Sequence, residues 1–412
     1  MSFKDLKLNK PILKAIEEAG YTEPTLVQEK TIPFVLAKKD LITSAQTGTG
    51  KTAAFALPIL QLLFDRQDAP KKGKKIKALV VSPTRELAVQ IGENFKTYGK
   101  HSNIRSAVIY GGIPMDPQID ILKKGVDILI VTPGRLLDLH KQELVDLKSV
   151  EILVLDEADL MLDLGFIDDV KKIERLCPEN KQILLFSATI PFKVEELAKT
   201  ILKSPERINI SPDLPTASNV SQMLYYVPKK NKMELCLHLL RNTVKGSILI
   251  FRRTKLGVDK LEQTLIKNGY KVETLHGDKS QNDRKTALGK FKNNYVNILI
   301  ATDLAARGID VKELDAVINF DLPNLPDTYV HRIGRTGRAG KMGTAYSFCS
   351  ADEKEYIKII QQSINVQIPV VEDHPYPLDP KAKPEIHKKK EGSKYKKGRK
   401  GEGSKKNKKR WY

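Results

Sequence analysis

Short runs of mostly aliphatic residues recur along this chain, separated by helix-length stretches, and they constrain its fold more than any other feature. In the first half they are Asp40–Ser44, Ala78–Ser82, Ser106–Tyr110, Asp127–Val131, Ile152–Asp156 and Ile183–Ser187. The second half has Met223–Val227, Ser247–Phe251, Lys271–His276, Asn297–Ala301, Ala316–Phe320 and Ala345–Cys349. Near-continuous Val/Ile/Leu runs mark strands buried on both faces, as in parallel sheets covered by helices. Alternation with helices predicts an α/β doubly wound architecture, and two sets of strands predict two such domains in tandem. The 412-residue length suits two domains. Between the sets, 211–219 (SPDLPTASN) has the prolines and small polar residues of an exposed linker. The expected divisions are 1–29 packed with the first domain, 30–210, the linker 211–219, 220–370, and a tail 371–412.

Polar, glycine-bearing or acidic clusters follow these runs almost at once: SAQTGTGKT, SPTREL, YGG, TPGR, DEAD, SAT, FRRTK and ATDLAARGID. Ligands bind open α/β sheets at the carboxyl ends of their strands, so the chemistry is expected along one edge of each sheet. Two such edges facing each other would form a cleft. The net charge of +20 points to a polyanionic partner, of which nucleic acid is the commonest. Residues 381–412 concentrate this charge, with 15 basic and 3 acidic side chains, and read as a flexible basic tail. The three cysteines are too widely spaced for a zinc-ligand pair or a disulfide framework and fit free thiols in a reducing cytosol. The N-terminus lacks an apolar signal core, and the longest apolar stretch, Phe55–Phe64, is too short to span a bilayer. A cytoplasmic protein without membrane contact is expected.

Three motifs carry chemistry. In Ala45–Thr52 (AQTGTGKT), between a predicted strand and a predicted helix, small residues let backbone N–H groups wrap phosphates. The loop comprises Ala45, Gln46, Thr47, Gly48, Thr49, Gly50, Lys51 and Thr52. Lys51 would reach the β and γ oxygens, and the Thr52 hydroxyl would ligate Mg²⁺. Asp156–Asp159 (DEAD) ends a buried strand, where Asp156 would hold Mg²⁺ and Glu157 would orient an attacking water. His331–Arg338 (HRIGRTGR) packs three arginines and a histidine into eight residues. Arginine beside a triphosphate stabilises transition-state charge, while the same turn could instead serve only to bind nucleic acid.

The ordered series of motifs resembles the DEAD-box RNA helicases of superfamily 2 across residues 3–350. Phe3, Gly20–Tyr21, Pro24–Thr25 and Gln28 resemble the adenine-reading Q motif. AQTGTGKT, PTREL at 83–87, Gly111–Gly112, TPGR at 132–135, DEAD and SAT at 187–189 follow in family order. Ile248–Thr254, Gln281 with Arg284, Thr302–Asp303, ARGID at 306–310 and HRIGRTGR complete it. Leu160 after DEAD, where the family commonly has Arg, and Ile190 after SAT depart from the pattern. The opening MSF, the IGEN segment at 91–94 and a short core with a basic tail are most similar to the bacterial RhlE-type members.

The resemblance implies two RecA-like domains and an RNA-dependent ATPase using ATP and Mg²⁺. It implies that Gln28 reads the adenine edge, that Phe3 stacks on the base with Tyr21 and Thr25 nearby, and that Asp310 holds the ribose. Arg335 and Arg338 would be arginine fingers delivered from the second domain. Asp159, Ser187, Thr189 and His331 would couple hydrolysis to the RNA side. Arg85, Gly112, Thr132, Arg135, Arg284 and Thr302 would grip RNA by its sugar–phosphate backbone, independent of sequence. Partners are then single-stranded or short duplex RNA, with ribosomal or RNA-processing assemblies as a setting. Local unwinding of short duplexes competes with an ATP-gated RNA clamp, which uses the same residues. The Q motif and the DEAD spelling argue against a translocating DNA helicase. The presence of Lys51, Glu157, Arg335 and Arg338 argues against a pseudo-enzyme.

Overall fold

The computed structural model describes residues 2–45, 48–64, 75–210, 220–306, 314–337 and 342–384. The first domain contains strands β1 (Leu41–Ala45), β2 (Ala78–Val81), β3 (Ser106–Ile109), β4 (Ile128–Val131), β5 (Ile152–Leu155), β6 (Gln182–Ser187) and β7 (Glu206–Ile210). They form one sheet in the order β3-β4-β2-β5-β6-β1-β7, with every neighbouring pair parallel. The second domain contains β8 (Val220–Tyr226), β9 (Ile248–Phe251), β10 (Val272–Leu275), β11 (Ile298–Ala301), β12 (Ala316–Asn319) and β13 (Gly343–Cys349). Its parallel sheet has the order β10-β11-β9-β12-β13-β8.

The aliphatic runs form these strands because helices cover both faces of each sheet. Successive side chains feed opposite cores: Val80 and Val154 enter one, while Leu79, Val81, Leu153 and Leu155 enter the other. Ile248 and Ile250 are likewise separated from Leu249 and Phe251 in the second domain. The N-terminal segment belongs to the first core through Phe3, Leu6, Leu8, Ile12 and Ile16. Among the described residues, no helix is long and apolar enough to cross a membrane. All three cysteines are unpaired and buried, and burial pushes their thiols up to about 12.

Two expectations change. Strand β7 has no counterpart among the predicted runs, because its sequence ERINI alternates charged and apolar residues at the sheet edge beside β1. The second domain also continues past residue 370, so the tail does not begin at 371. The backbone N–H groups of Leu224 and Val371 bond Pro369 O and Leu224 O at 2.9 Å each, and Leu378 N–H bonds Tyr226 O at 2.9 Å. Val371 and Tyr376 pack on the core, and His374 meets Tyr225 edge to face. This segment covers the edge of β8, which would otherwise present unpaired backbone groups. The linker 211–219 and residues 385–412 lie outside the described residues.

Candidate nucleotide site and nucleic-acid cleft

Strand β1 ends at Ala45, and the Lys51–Phe64 helix begins immediately after Gly50. Gly48 and Gly50 have φ of 91° and 95°, which let the intervening turn curl back onto the helix N-terminus. A β-carbon on Gly50 would lie 2.4 Å from Gln28 Nε2 and would have to displace that side chain, on a backbone whose positive φ already disfavours it. Gln28 Nε2 donates to Gly50 O at 3.3 Å, and its Oε1 accepts from Thr25 N–H at 3.0 Å. Thr25 and Gln28 thereby form the capping box of the Leu26–Leu36 helix. Gln28 is only 2% exposed, so its visible work is to brace the phosphate loop, leaving one amide hydrogen and one lone pair for a base.

Phe3, expected to stack on the base, is only 6% exposed and packs within the first core. Tyr21, at 45% exposure, is the aromatic with a face to offer.

Strand β5 delivers the acidic residues. Lys51 Nζ lies 2.9 Å from Glu157 Oε1 in a buried ion pair. Burial works against the Lys51 charge, but Glu157, then Asp156 and Asp159, outweigh it and leave its pKa above the ordinary value. Burial, then the neighbouring Glu157 carboxylate, push Asp156 up to about 7. Its Oδ1 is buried with no hydrogen-bond partner. An unpartnered carboxylate oxygen beside a second carboxylate fits a divalent cation, and the buried ammonium at the start of the Lys51–Phe64 helix fits a phosphate oxygen. Asp156 and Thr52 are therefore suited to hold Mg²⁺. Glu157 adopts φ 55°, ψ 56° at the N-cap of the Ala158–Asp163 helix.

SAT and DEAD are joined directly. Thr189 N–H and Oγ1 donate to Asp159 Oδ2 at 3.0 and 3.1 Å, and Asp159 N–H donates to Ser187 Oγ at 3.1 Å. Leu160, which replaces a common Arg, is buried behind them.

The second domain brings Arg335 and His331 to a small cavity also lined by Phe251, Asp303 and Arg332. Arg332, unassigned from sequence, holds this end together. Its Nε and Nη2 bond Asp303 at 2.5 and 2.7 Å, its Nη1 bonds Asn319 Oδ1 and Asp321 O, and its guanidinium lies 4.9 Å from the Phe251 ring centre. The signal was the first arginine of HRIGRTGR, but sequence alone does not say which arginine is buried. Gln46, Thr47, Asp310 and Arg338 fall outside the described residues, as does the Gln281 side chain.

A cleft of about 440 Å³ lies between the domains, lined by Arg85, Thr132 and Arg135 from the first and Lys279 and Arg284 from the second. Arg85 rests against Gly112, where a β-carbon would stand 2.2 Å from its guanidinium. Arg135 donates to Ile113 O at 3.0 Å, yet its buried Nε and Nη1 have no partner. Thr84 caps the Arg85–Tyr98 helix by accepting Leu87 N–H, and Thr132 occupies the N-cap position of the Pro133–Lys141 helix without a side-chain bond, so two helix N-termini open on the cleft. That arrangement suits phosphates. Arg284 Nε also bonds Glu86 Oε1 at 2.7 Å, joining the two domains across the cleft. Glu86, inside PTREL, was not singled out from sequence. Thr302 does not line the cleft; it starts the short Asp303–Ala306 helix that carries the cleft-lining Leu304.

The chain matches the DEAD/DEAH box helicase family over residues 25–197 and the helicase conserved C-terminal domain over 231–340. It is 42% identical to the DEAD-box ATP-dependent RNA helicase RhpA of Helicobacter pylori, over 90% of this chain and 74% of that protein. It is also 42% identical to the DEAD-box ATP-dependent RNA helicase CshA of Bacillus cereus, over 88% of this chain and 68% of that one. Among solved structures it resembles S. cerevisiae Dbp5 bound to RNA and ADP BeF3, with a TM-score of 0.80 and 32% identity, covering 90% of this chain and 95% of that one. Motif order, two parallel-sheet domains and these likenesses agree: the chain belongs to the DEAD-box ATP-dependent RNA helicase family.

Proposed function

We propose that this protein is an RNA-stimulated ATPase that separates or remodels short RNA duplexes by closing its two domains around ATP and RNA. The observation that carries the reading is the Glu86–Arg284 contact across a cleft that each domain builds in part. RNA lying there touches both domains and favours their apposition. The phosphate loop sits on one domain and Arg335 on the other, so apposition also completes the hydrolytic site. ATP and RNA then raise each other's affinity by linkage.

In this reading Tyr21 stacks on adenine and Thr25 and Gln28 border it. Lys51 and the loop amides bind the phosphates, Glu157 orients water, and Arg335 with Arg338 neutralises the transition state. Asp156 and Thr52 hold Mg²⁺, which when bound supplies charge against the β- and γ-phosphate oxygens. Asp310 is proposed for the ribose. The unpartnered Arg135 nitrogens and the helix N-termini at Thr84 and Thr132 hold RNA phosphates with Arg85 and Arg284, Gly112 leaves room for Arg85, and Thr302 acts only through the short helix it precedes. The RhlE-type placement stays a proposal resting on the MSF and IGEN segments and the basic tail.

Strand displacement on a short tailed RNA duplex tests the reading. ATP-dependent release of the short strand is expected. Retention of RNA in ATP without strand release would instead establish the clamp.

A further inference from the structure

Tyr98 and the residues just after it belong to none of the motifs above, yet they hold the segment that presents Tyr21. Tyr98 ends the Arg85–Tyr98 helix and is buried in the first core. Its ring meets Tyr21 edge to face, with centroids 6.1 Å apart and planes at 64°. Its hydroxyl donates to the Tyr21 hydroxyl at 3.4 Å. Nearby, Glu18 at the end of the Lys10–Glu18 helix accepts Lys100 Nζ at 2.9 Å and lies 3.0 Å from His101 Nε2. Gly20, with φ 80°, turns the chain between Glu18 and Tyr21, and Tyr21 N–H returns to Ile16 O at 3.1 Å. One helix end therefore fastens this segment at two places, while the Tyr21 ring stays half exposed.

We propose that Tyr98 is a positioning residue for the nucleotide, fixing the Tyr21 ring for stacking on the base, with the Glu18–Lys100–His101 contact as its second anchor. The inference rests on the reading of Tyr21 as the base-stacking residue. A free exposed tyrosine must give up rotamer freedom when a base stacks on it, and that loss weakens binding. An edge-to-face partner in a packed core removes the freedom beforehand and leaves the opposite surface open. Neither Tyr98 nor Glu18 is placed at the reacting phosphates, so removal of either should appear in KM for ATP and spare kcat.

The test is steady-state ATPase kinetics of the full chain at saturating single-stranded RNA, for Tyr98→Leu, Tyr98→Phe, Glu18→Ala and Tyr21→Ala. Tyr98→Leu should raise KM for ATP about fivefold with kcat within about twofold. Tyr98→Phe keeps the ring edge and should stay within about twofold of the parent in both constants. Glu18→Ala alters only the surface, so it should fold even where Tyr98→Leu does not, and should raise KM about threefold. A raised KM in Tyr21→Ala with unchanged KM in Tyr98→Leu and Glu18→Ala would overturn the positioning role. A fall in kcat at unchanged KM in Tyr98→Leu would do the same. An unchanged KM in Tyr21→Ala would remove the stacking reading itself, and the inference with it.

Discussion

Glu157 occupies the left-handed region, which costs a side-chain-bearing residue about 1 kcal/mol or more. The strain turns its carboxylate toward Lys51, on the nucleotide side of β5. Glu157→Gln keeps the shape and removes the water-orienting charge. It should bind ATP and Mg²⁺ normally and hydrolyse at least about 100-fold more slowly, holding RNA longer in ATP. Near-normal turnover would dismiss the assignment. Asp156 makes a different prediction. Its folded pKa of about 7 lies above the usual 3.8, so its contribution to stability is present below 3.8 and lost as pH rises through 7. In metal-free protein, Asp156→Asn should therefore stabilise the fold more at pH 8 than at pH 5, by about 2 kcal/mol or more at the higher pH, while abolishing Mg²⁺-dependent hydrolysis. Thermal unfolding at the two pH values checks it, and an equal gain at both would show that Asp156 ionises normally.

Among the elements, the segment from Pro369 onward covers the edge of β8. It makes three backbone hydrogen bonds beside β8 and buries part of Val371 and Tyr376. At about 1 kcal/mol per bond, a chain ending at Ile368 should lose about 3 kcal/mol and tend to associate through the bared edge. Urea unfolding and light scattering would show it; unchanged stability would mean the segment only rests on the sheet. The strands buried on both faces were legible from sequence because burial leaves only aliphatic residues there. Strand β7 was not, since an edge strand keeps Glu206 and Arg207, and a single sheet neighbour suffices to order it. The segment at 369–378 escaped for a related reason: it pairs with β8 at few points and has no aliphatic run of its own. The phosphate loop and DEAD residues were legible because spacing fixes them on strand ends. Which ring faces solvent, Tyr21 or Phe3, depends on tertiary packing that spacing does not carry.

At the scale of the whole molecule, the proposed function turns on charge and on the apposition of the two domains. Residues 381–412 carry a net +12, leaving +8 for the rest of the chain. Truncation after Pro380 should weaken RNA binding at low salt. It should also flatten the log-affinity versus log-salt slope by about 0.7 for each RNA phosphate that the tail neutralises. ATPase at saturating RNA should persist, since every motif ends at or before Arg338; identical slopes would make the tail a solubilising or protein-binding appendage. In the proposed function, RNA joins the domains and thereby completes an ATPase site split between them. Steady-state ATP hydrolysis with and without single-stranded RNA tests it most directly. RNA should stimulate the parent chain at least about tenfold, and Arg335→Ala should remove about 10³-fold or more of the stimulated rate. Hydrolysis equally fast without RNA, or full stimulation in Arg335→Ala, would show that the site is not split between the domains in this way.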